Sequence, residues 1–330
     1  MRIAPGIVAL VLAAGAAIPS AALADRSAPP DDHHRQYDHI FVIVEENEEN
    51  TSIIGDPKAP TINSLASAYG LATDYFGTIH PSEGNYVGMV GGNSYGITDD
   101  APYTKHTINQ PSIVDQLEGA GLTWKSYSQT MPFPGYPGTC YPTTGPCLYA
   151  SKHNGFLNFA HVQNSASEMR KLVPDTSLGD DLANGTAPNL AFIAPDQCHD
   201  LHGIGGTCTG DQLFMETDQY LKTTVDEITH APLWERGQNA IVINFDEGDS
   251  TLGCCDANPG GGRVVTVVIG NHQHSPIQDP TPHNHYSLVA TFQAAFGLGC
   301  TFDGTPVGFT CDTTNGVKPM APLFELRPRV

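Results

Sequence analysis

The chain has little positive charge and no long hydrophobic run beyond its first residues. It contains 15 Lys and Arg against 35 Asp and Glu, which gives a formal net charge of −20 at pH 7. Binding to a nucleic-acid backbone needs a basic surface, so nucleic acid is not expected as a partner. A phosphate ligand stays compatible with this charge, because salt screens distant acidic groups beyond about 8–10 Å and a local metal can outweigh them.

The sequence also lacks several patterns that indicate particular chemistries. No GxxxxGK[ST] loop is present, which excludes nucleotide hydrolysis by that route. No two cysteines have the CxxC spacing that would support a zinc-thiolate site. Only 15% of the residues are charged, whereas glycine (34 residues) and proline (26 residues) are plentiful. This composition favours a compact, loop-rich enzyme over a disordered chain.

The first residues have the pattern of an export signal. Arg2 precedes an apolar stretch over residues 7–17, and Ala22-Leu23-Ala24 fits a small-x-small cleavage site. We therefore expect cleavage after Ala24 and a secreted or periplasmic mature protein, with a retained N-terminal anchor as the alternative. Residues 1–24 would be the signal peptide, residues 25–36 a flexible lead-in, and residues 37–330 one domain.

Eight cysteines in an exported chain predict disulfide bridges. Short spacing suggests three local loops, closed by Cys140–Cys147, Cys198–Cys208 and Cys300–Cys311. The neighbours Cys254 and Cys255 either form a vicinal bridge or pair elsewhere. Each local bridge would contribute about 2–3 kcal/mol to stability.

Three hydrophobic runs each end in acidic or polar residues. The runs over residues 40–44, 190–193 and 240–245 are rich in β-branched and aromatic residues, which is typical of buried parallel strands. Helical patterns alternate with these runs, so the sequence predicts an α/β fold with a mostly parallel sheet. In such sheets, ligands bind beyond the carboxyl ends of the strands.

The residues after these runs form three candidate ligand clusters. In chain order the clusters are Glu46 with Asn47, Asp200 with His202, and Asp246 with Glu247. Carboxylates delivered to one sheet edge would repel each other unless a cation lay between them. The sequence therefore predicts a divalent metal site. Oxygen ligands with one or two histidines fit calcium, magnesium, manganese, iron or zinc, so the identity and number of the ions stay open.

Ser82 is the candidate nucleophile. It lies in a predicted loop, His80–Tyr86, and not in a Gly-x-Ser-x-Gly elbow, which disfavours an α/β-hydrolase. A serine is activated by a base or by a metal, and the acidic clusters favour the metal. His285 begins a predicted helix, where a structural role is the simpler interpretation.

Six segments in this order resemble a bacterial phosphoesterase family that contains secreted acid phosphatases and phospholipases C, within the alkaline-phosphatase-like superfamily. The segments are HIFVIVEEN from His39, HPSEGNY from His80, KHN from Lys152, CHDLH from Cys198, FDEG from Phe245 and HYSLVATFQAAFGL from His285. The resemblance implies a three-layer α/β sandwich with a mostly parallel central sheet.

The resemblance also implies a role for each matching residue. The metal ligands would be Glu46, Asn47, Ser82, Asp246 and Glu247, with Ser82 also the nucleophile. A second metal, or else phosphate positioning and protonation of the leaving group, would involve Asp200, His202 and His285. The substrate-side residues would be Lys152, His153 and Asn154.

The implied reaction is in-line phosphoryl transfer through a phosphoserine. We expect a phosphomonoesterase of the acid phosphatase type, acting on a small phosphate ester. The alternative is a phospholipase C that cleaves phospholipid head groups and contacts a membrane surface transiently through the aromatic-rich segment at residues 127–149. A non-catalytic secreted binding protein on the same fold is an alternative of another class, and the presence of Ser82 argues against it. No protein partner is implied.

Overall fold

The structure is a computed structural model that describes residues 1–2, 35–312 and 314–327. Most of the predicted signal peptide and most of the lead-in lie outside these residues. Among the described residues, the strands in chain order are β1 His39–Glu45, β2 Gly70–Ala72, β3 Tyr75–Phe76, β4 Trp124–Ser128, β5 Cys140–Tyr141, β6 Tyr149–Ala150, β7 Leu172–Pro174, β8 Leu190–Ala194, β9 Asn239–Phe245, β10 Thr266–Gly270, β11 Ile277–Asp279, β12 His283–Asn284, β13 Thr301–Phe302 and β14 Thr305–Pro306. The α-helices are α1 Asn50–Ile53, α2 Pro60–Ala68, α3 Ser82–Gly91, α4 Ile113–Gly119, α5 Ala160–Gln163, α6 Ala166–Met169, α7 Ser177–Asn184, α8 Gly210–Thr229 and α9 His285–Ala295.

A large sheet of eight strands forms the centre of the molecule. Its strand order is β11-β2-β10-β9-β1-β8-β4-β7. Five of the seven neighbouring pairs are parallel, and the two antiparallel pairs both involve β10. The prediction of a mostly parallel sheet is confirmed, and the three predicted strands are β1, β8 and β9.

The three central strands are apolar because both of their faces are covered. In β1, Val42 pairs with Phe192 of β8 on one side and with Val242 of β9 on the other. Every residue of β8 and β9 is buried. Full burial of a Val, Ile or Phe side chain contributes about 1.5–3 kcal/mol each, so near-continuous apolar runs strongly favour this central position.

Helices cover both faces of the sheet. Successive side chains at the end of β1 point to opposite faces. On one face, burial raises the pKa of Glu45, and the charges of Glu46 and of Asp218 on α8 raise it further. On the other, Glu46 contacts Ser82 at the start of α3. Helices α8 and α3 therefore lie in different layers, as the predicted three-layer sandwich requires.

Helix α3 replaces the loop that the sequence predicted at His80–Tyr86. The prediction is wrong from Ser82 onward, because all residues from Ser82 to Gly91 are helical and buried. The three glycines of α3 lower its apparent helix propensity, yet they are what allows the helix to enter the interior. A Cβ atom at Gly84 would lie 2.6 Å from Ile79 Cγ2 and 2.9 Å from the Ile97 carbonyl oxygen, so a larger residue there would clash.

The cysteines form four bridges. Three close the local loops predicted from spacing, namely Cys140–Cys147, Cys198–Cys208 and Cys300–Cys311. The fourth is the vicinal pair Cys254–Cys255, which selects one of the two alternatives that the sequence left open. Within the described part of the chain, helices are all too short or too polar to cross a membrane.

Candidate active site

Three backbone segments meet beyond the carboxyl ends of the central strands. The amide of Glu46 donates to the Asp200 carbonyl oxygen at 2.7 Å, and the amide of Asp246 donates to the Glu45 carbonyl oxygen at 3.0 Å. The side chains of Glu46, Asp200 and Asp246 are fully buried. The parallel register of β8, β1 and β9 therefore brings the three predicted clusters to one point of the sheet edge.

Ser82 lies at the centre of this edge. Its Oγ atom is 3.1 Å from Glu46 Oε2 and 3.1 Å from Glu247 Oε1. A hydroxyl carries one proton and can donate to only one of these oxygens at a time. Ser82 is also the first residue of α3, where the helix dipole favours negative charge.

The carboxylates around Ser82 have the properties of a cation site. Asp246 Oδ1 accepts hydrogen bonds from the amides of Asn47 and Glu247, at 3.1 and 2.6 Å. Asp246 Oδ2 is buried without a hydrogen-bond partner among the described residues. Burial raises the pKa of Asp246 well above its ordinary value, and the neighbouring charges of Glu46 and Glu247 raise it further. A divalent cation would relieve both effects, so the donor set fits a metal.

Asn47 adjoins this group through its backbone. It adopts a left-handed conformation with φ 53°, which asparagine tolerates better than most residues. This turn leads the chain from β1 past Asp246, and the Asn47 amide donates to the Asp246 carboxylate. Asn47 as a whole is half-buried.

His80 supports Glu247, a contact that the sequence did not reveal. Its Nδ1 atom contacts Glu247 Oε2, and its Nε2 atom donates to the Ser250 carbonyl oxygen at 2.9 Å. Burial raises the pKa of Glu247, and the contact with His80 opposes that rise. The side chain of Glu247 is therefore held on one oxygen by His80, while the other faces Ser82.

His153 joins the first and second clusters. Its Nε2 atom is 3.1 Å from Glu46 Oε1, and its Nδ1 atom is 3.2 Å from Asp200 Oδ2. The imidazole stacks on the Tyr86 ring with 5.1 Å between centroids and 10° between planes. Burial lowers the pKa of His153 well below its ordinary value, and the positive charge of Lys152 lowers it further. Ligand atoms of Glu46, His153 and His202 lie within 4.8 Å of one another, so they form a second group that could hold a cation.

Lys152 and His202 form the more exposed side of the site. Lys152 Nζ lies 3.2 Å from His202 Nε2 and 2.9 Å from Asp100 Oδ2. His202 Nδ1 is 2.9 Å from the Gly203 carbonyl oxygen, which can only accept. Nδ1 therefore carries the proton, and Nε2 is free to accept from Lys152. Burial lowers the pKa of Lys152, but the charges of Glu46 and Asp100 outweigh burial, so the pKa is raised and the ammonium stays charged.

His285 and Asn154 lie behind the site. The Nε2 atom of His285 donates to the Asp246 carbonyl oxygen at 2.5 Å, and its Nδ1 atom is 3.3 Å from the Tyr75 hydroxyl. Burial lowers the pKa of His285 to about 4, although its bond to the Asp246 backbone opposes this. Asn154 is buried beside a small internal cavity of about 10 Å³ that Tyr86 and Phe156 also line. His285 thus supports the backbone of Asp246 from within the protein, whereas both polar atoms of the Asn154 side chain are buried without a hydrogen-bond partner among the described residues.

One serine elsewhere matches the elbow pattern, in Gly92-Asn93-Ser94-Tyr95-Gly96. Its context differs from that of a nucleophile elbow, because the segment follows helix α3 and not a strand. Ser94 Oγ is buried, 3.2 Å from Thr78 Oγ1 and 3.1 Å from the Tyr286 hydroxyl. Ser94 therefore packs inside the protein, and Ser82 is the serine beside the carboxylates.

Comparison with known proteins gives matches along most of the chain. A family model described as Phosphoesterase family matches residues 55–299. A phosphate-repressible acid phosphatase of Penicillium chrysogenum is 29% identical over 253 residues, which are 76% of this chain and 57% of that protein. A phosphatidylinositol-3-phosphatase of Mycobacterium tuberculosis is 26% identical over 284 residues, 86% of this chain and 82% of that protein. An acid phosphatase of Aspergillus fumigatus is 28% identical over 252 residues, 71% of this chain and 50% of that protein. The chain thus spans only about half of the length of the two fungal relatives.

Solved structures of low sequence identity share the fold. A protein of the alkaline phosphatase superfamily from Vibrio parahaemolyticus superposes with a TM-score of 0.56 at 12% identity, covering 80% of this chain and 67% of that one. The lipoteichoic acid synthase LtaP of Listeria monocytogenes gives 0.53 at 10% identity, covering 84% and 76%. At these identities the likeness concerns the fold alone, and it confirms the predicted alkaline-phosphatase-like architecture.

Proposed function

The chain belongs to the phosphoesterase family, and we propose that it is a metal-dependent phosphomonoesterase of the acid phosphatase type with Ser82 as its nucleophile. One observation carries this proposal. Ser82 Oγ lies at the start of a buried helix, 3.1 Å from each of two carboxylates, beside a third carboxylate with an unpartnered oxygen. Together with these carboxylates, the Ser82 hydroxyl would complete a set of oxygen ligands for a divalent cation.

We propose Glu46, Asn47, Ser82, Asp246 and Glu247 as the residues that hold the metal. When bound, a divalent cation would lower the pKa of the serine hydroxyl and neutralise charge on the phosphoryl oxygens. His80 and the amides of Asn47 and Glu247 fix the carboxylates in place. His285 holds the backbone of Asp246, so we propose a positioning role for it and no direct contact with phosphate.

The charged ammonium of Lys152 beside the second cluster supports the phosphate-positioning alternative over a second metal. His153 already lies within 3.2 Å of Glu46 and Asp200, and the ammonium of Lys152 lies within 3.2 Å of His202. We propose that Lys152 contacts the phosphate oxygens, because it is the charged donor on the more exposed side. Asn154 and His153 would support Lys152 and Glu46 from behind.

The reaction follows from these placements. The Ser82 Oγ–phosphorus bond forms while the bond from phosphorus to the leaving oxygen breaks. The serine proton passes to Glu247, and the leaving oxygen takes up a proton at the Lys152–His202 pair. Water then attacks phosphorus and gives one proton to the Lys152–His202 pair, the bond from phosphorus to Ser82 breaks, and the serine regains its proton from Glu247. One ester and one water thus give one alcohol and one phosphate.

The phospholipase C alternative requires hydrolysis of a diester. In the aromatic-rich segment at residues 127–149, Tyr127 and Tyr149 are buried and unavailable to a lipid surface, whereas Phe133 is 51% exposed. The four disulfide bridges fit an oxidising compartment, and we propose that the protein acts in the periplasm or outside the cell.

The decisive experiment compares a monoester with a diester. Purified protein would be treated with a chelator, reloaded with one divalent cation at a time, and assayed on p-nitrophenyl phosphate and on bis-p-nitrophenyl phosphate. Bound metal would be counted in the same samples. We expect metal-dependent turnover in which the monoester dominates. A dominant diester activity would instead support phospholipase C, and no turnover of either ester with any cation would support the non-catalytic alternative.

A further inference from the structure

Asp100 connects the helix that carries Ser82 to the lysine on the other side of the site. Its Oδ1 atom accepts from the backbone amide of Glu83 at 3.1 Å, and its Oδ2 atom accepts from Lys152 Nζ at 2.9 Å. Glu83 directly follows Ser82 in helix α3. One carboxylate therefore touches both the nucleophile's helix and the cationic side chain proposed to contact phosphate.

The position of Lys152 depends on this carboxylate. Among the described residues, Asp100 is the one acid in ion-pair contact with Lys152, whose side chain is 19% exposed. Its other partner, His202, offers it one acceptor, Nε2, and no negative charge. Glu46 also attracts Lys152 from inside the site. Without Asp100, this attraction would draw the flexible ammonium toward the carboxylates and away from a phosphate.

We infer that Asp100 is a positioning residue, which holds Lys152 at a fixed place relative to Ser82 so that the ammonium meets the phosphate oxygens. The inference rests on the proposed function, because it takes Lys152 as a phosphate contact. Asp100 would then have two roles. Its Oδ1 atom caps helix α3, whereas the negative charge on its Oδ2 atom positions Lys152.

The two roles can be separated by substitution. Asp100→Asn keeps an oxygen that accepts from the Glu83 amide, but it removes the negative charge that holds Lys152. Asp100→Ala removes both. Asp99→Asn is the matched control, because Asp99 is the adjacent acid, its side chain is 64% exposed, and its ion-pair contact is with His106.

The measurements are kcat and KM on p-nitrophenyl phosphate and the binding of inorganic phosphate by calorimetry, all on the metal-loaded protein. For Asp100→Asn we expect about 10-fold weaker phosphate binding and a similar rise in KM. The kcat should stay within about 3-fold, because nitrophenolate is a stable anion that leaves without a proton from the Lys152–His202 pair. Metal content and melting temperature should stay unchanged, and Asp99→Asn should behave as the wild type. Asp100→Ala should in addition lower the melting temperature, since it also loses the cap.

A double-mutant cycle with Lys152→Met decides whether Asp100 acts through the lysine. If it does, Asp100→Asn should change phosphate affinity less than about 2-fold in the Lys152→Met background. Equal losses in both backgrounds would overturn the inference. Unchanged or tighter phosphate binding by Asp100→Asn alone would also overturn the inference. Tighter binding would indicate that Asp100 repels phosphate.

The calorimetry also separates this inference from the proposed function. Phosphate binding needs no turnover, so Asp100 can be judged even if the wild-type protein fails to hydrolyse the monoester. A wild-type protein that neither hydrolyses the ester nor binds phosphate would overturn both.

Discussion

Replacement of Asp246 by asparagine should stabilise the metal-free protein and weaken its binding of metal. The side chain is fully buried, and Oδ1 accepts two backbone hydrogen bonds that an asparagine oxygen can keep. The second oxygen has no hydrogen-bond partner in the part of the chain that the structure describes, and it belongs to a group of carboxylates that repel one another. The substitution thus removes a charge while it keeps the shape and the satisfied bonds.

The expected stabilisation of the metal-free variant follows from the free-energy cost of burying the Asp246 charge. Because the folded-state pKa of Asp246 is raised well above its ordinary value of 3.8, the folded state binds more protons than the unfolded chain. The cost is therefore absent at low pH, grows as the pH rises above about 4, and is complete above the folded pKa. Replacement of the buried carboxylate by a neutral amide removes this cost and should raise the free energy of unfolding at neutral pH by about 1–3 kcal/mol. For a chain of this size, that corresponds to a rise in melting temperature of roughly 2–6 °C.

In the presence of metal, the substitution should reduce the stabilisation that metal binding provides, because it weakens that binding. Loss of a charged ligand should weaken metal affinity by at least about 10–100-fold, the loss seen when groups that merely support ligands are changed. At a fixed metal concentration above the dissociation constant, this reduces the stabilisation by metal by about 1.4–2.7 kcal/mol. The wild-type protein should therefore gain more stability from added metal than the variant.

The assay is thermal unfolding in chelator and in a titration of divalent cation, with bound metal measured after gel filtration. Asp249→Asn is the matched control, because Asp249 is an exposed acid three residues away. It should change neither the chelated melting temperature nor the metal content. Unchanged metal content in Asp246→Asn would place this carboxylate outside the metal site, and a destabilised metal-free variant would refute the argument from buried charge.

Three further predictions concern the same site. Ser82→Ala should abolish turnover while folding and metal content stay largely intact, and near-normal turnover would remove Ser82 as the nucleophile. The folded-state pKa of His285 is about 4 against an ordinary 6.5, so the wild type should lose roughly 3 kcal/mol of stability as the pH falls from 6.5 to 4. His285→Gln lacks this titrating group, so its stability should depend less on pH in this range. Equal pH profiles of unfolding for His285→Gln and the wild type would contradict this. Chelation should abolish turnover and lower the melting temperature, a divalent cation should restore both, and full activity in chelator would contradict metal dependence.

The sheet could be predicted from the sequence because its central strands are buried on both faces. Buried parallel strands must be apolar on both faces, so β1, β8 and β9 stand out as runs without polar alternation. The carboxyl ends of such strands share one edge, and this made it possible to place Glu46, Asp200 and Asp246 together before any contact was known. Local spacing likewise predicted three of the disulfide bridges.

The start of helix α3 could not be predicted from local propensity. Its glycines and asparagine suggest a loop, whereas the helix is stabilised by close packing against residues distant in sequence, such as Phe159 beside Gly91. Tertiary packing overrides propensity in such cases.

The supporting contacts were missed for a related reason. Asp100 lies in a polar stretch that resembles an ordinary surface loop, and no spacing links it to Lys152, 52 positions later. The partner of His80, Glu247, is 167 positions away. Contacts of this kind depend on the fold as a whole, so the sequence could predict the ligands but not the residues that hold them.

The central claim is that Ser82 becomes phosphorylated during turnover. Metal-loaded protein would be mixed with excess p-nitrophenyl phosphate, quenched in acid after milliseconds to seconds, digested and analysed by mass spectrometry, with Ser82→Ala treated in parallel. We expect a phosphate group on the peptide that contains Ser82 in the wild type and none in the variant. Turnover without phosphate on Ser82 at any quench time, or with phosphate on a different residue, would contradict the account.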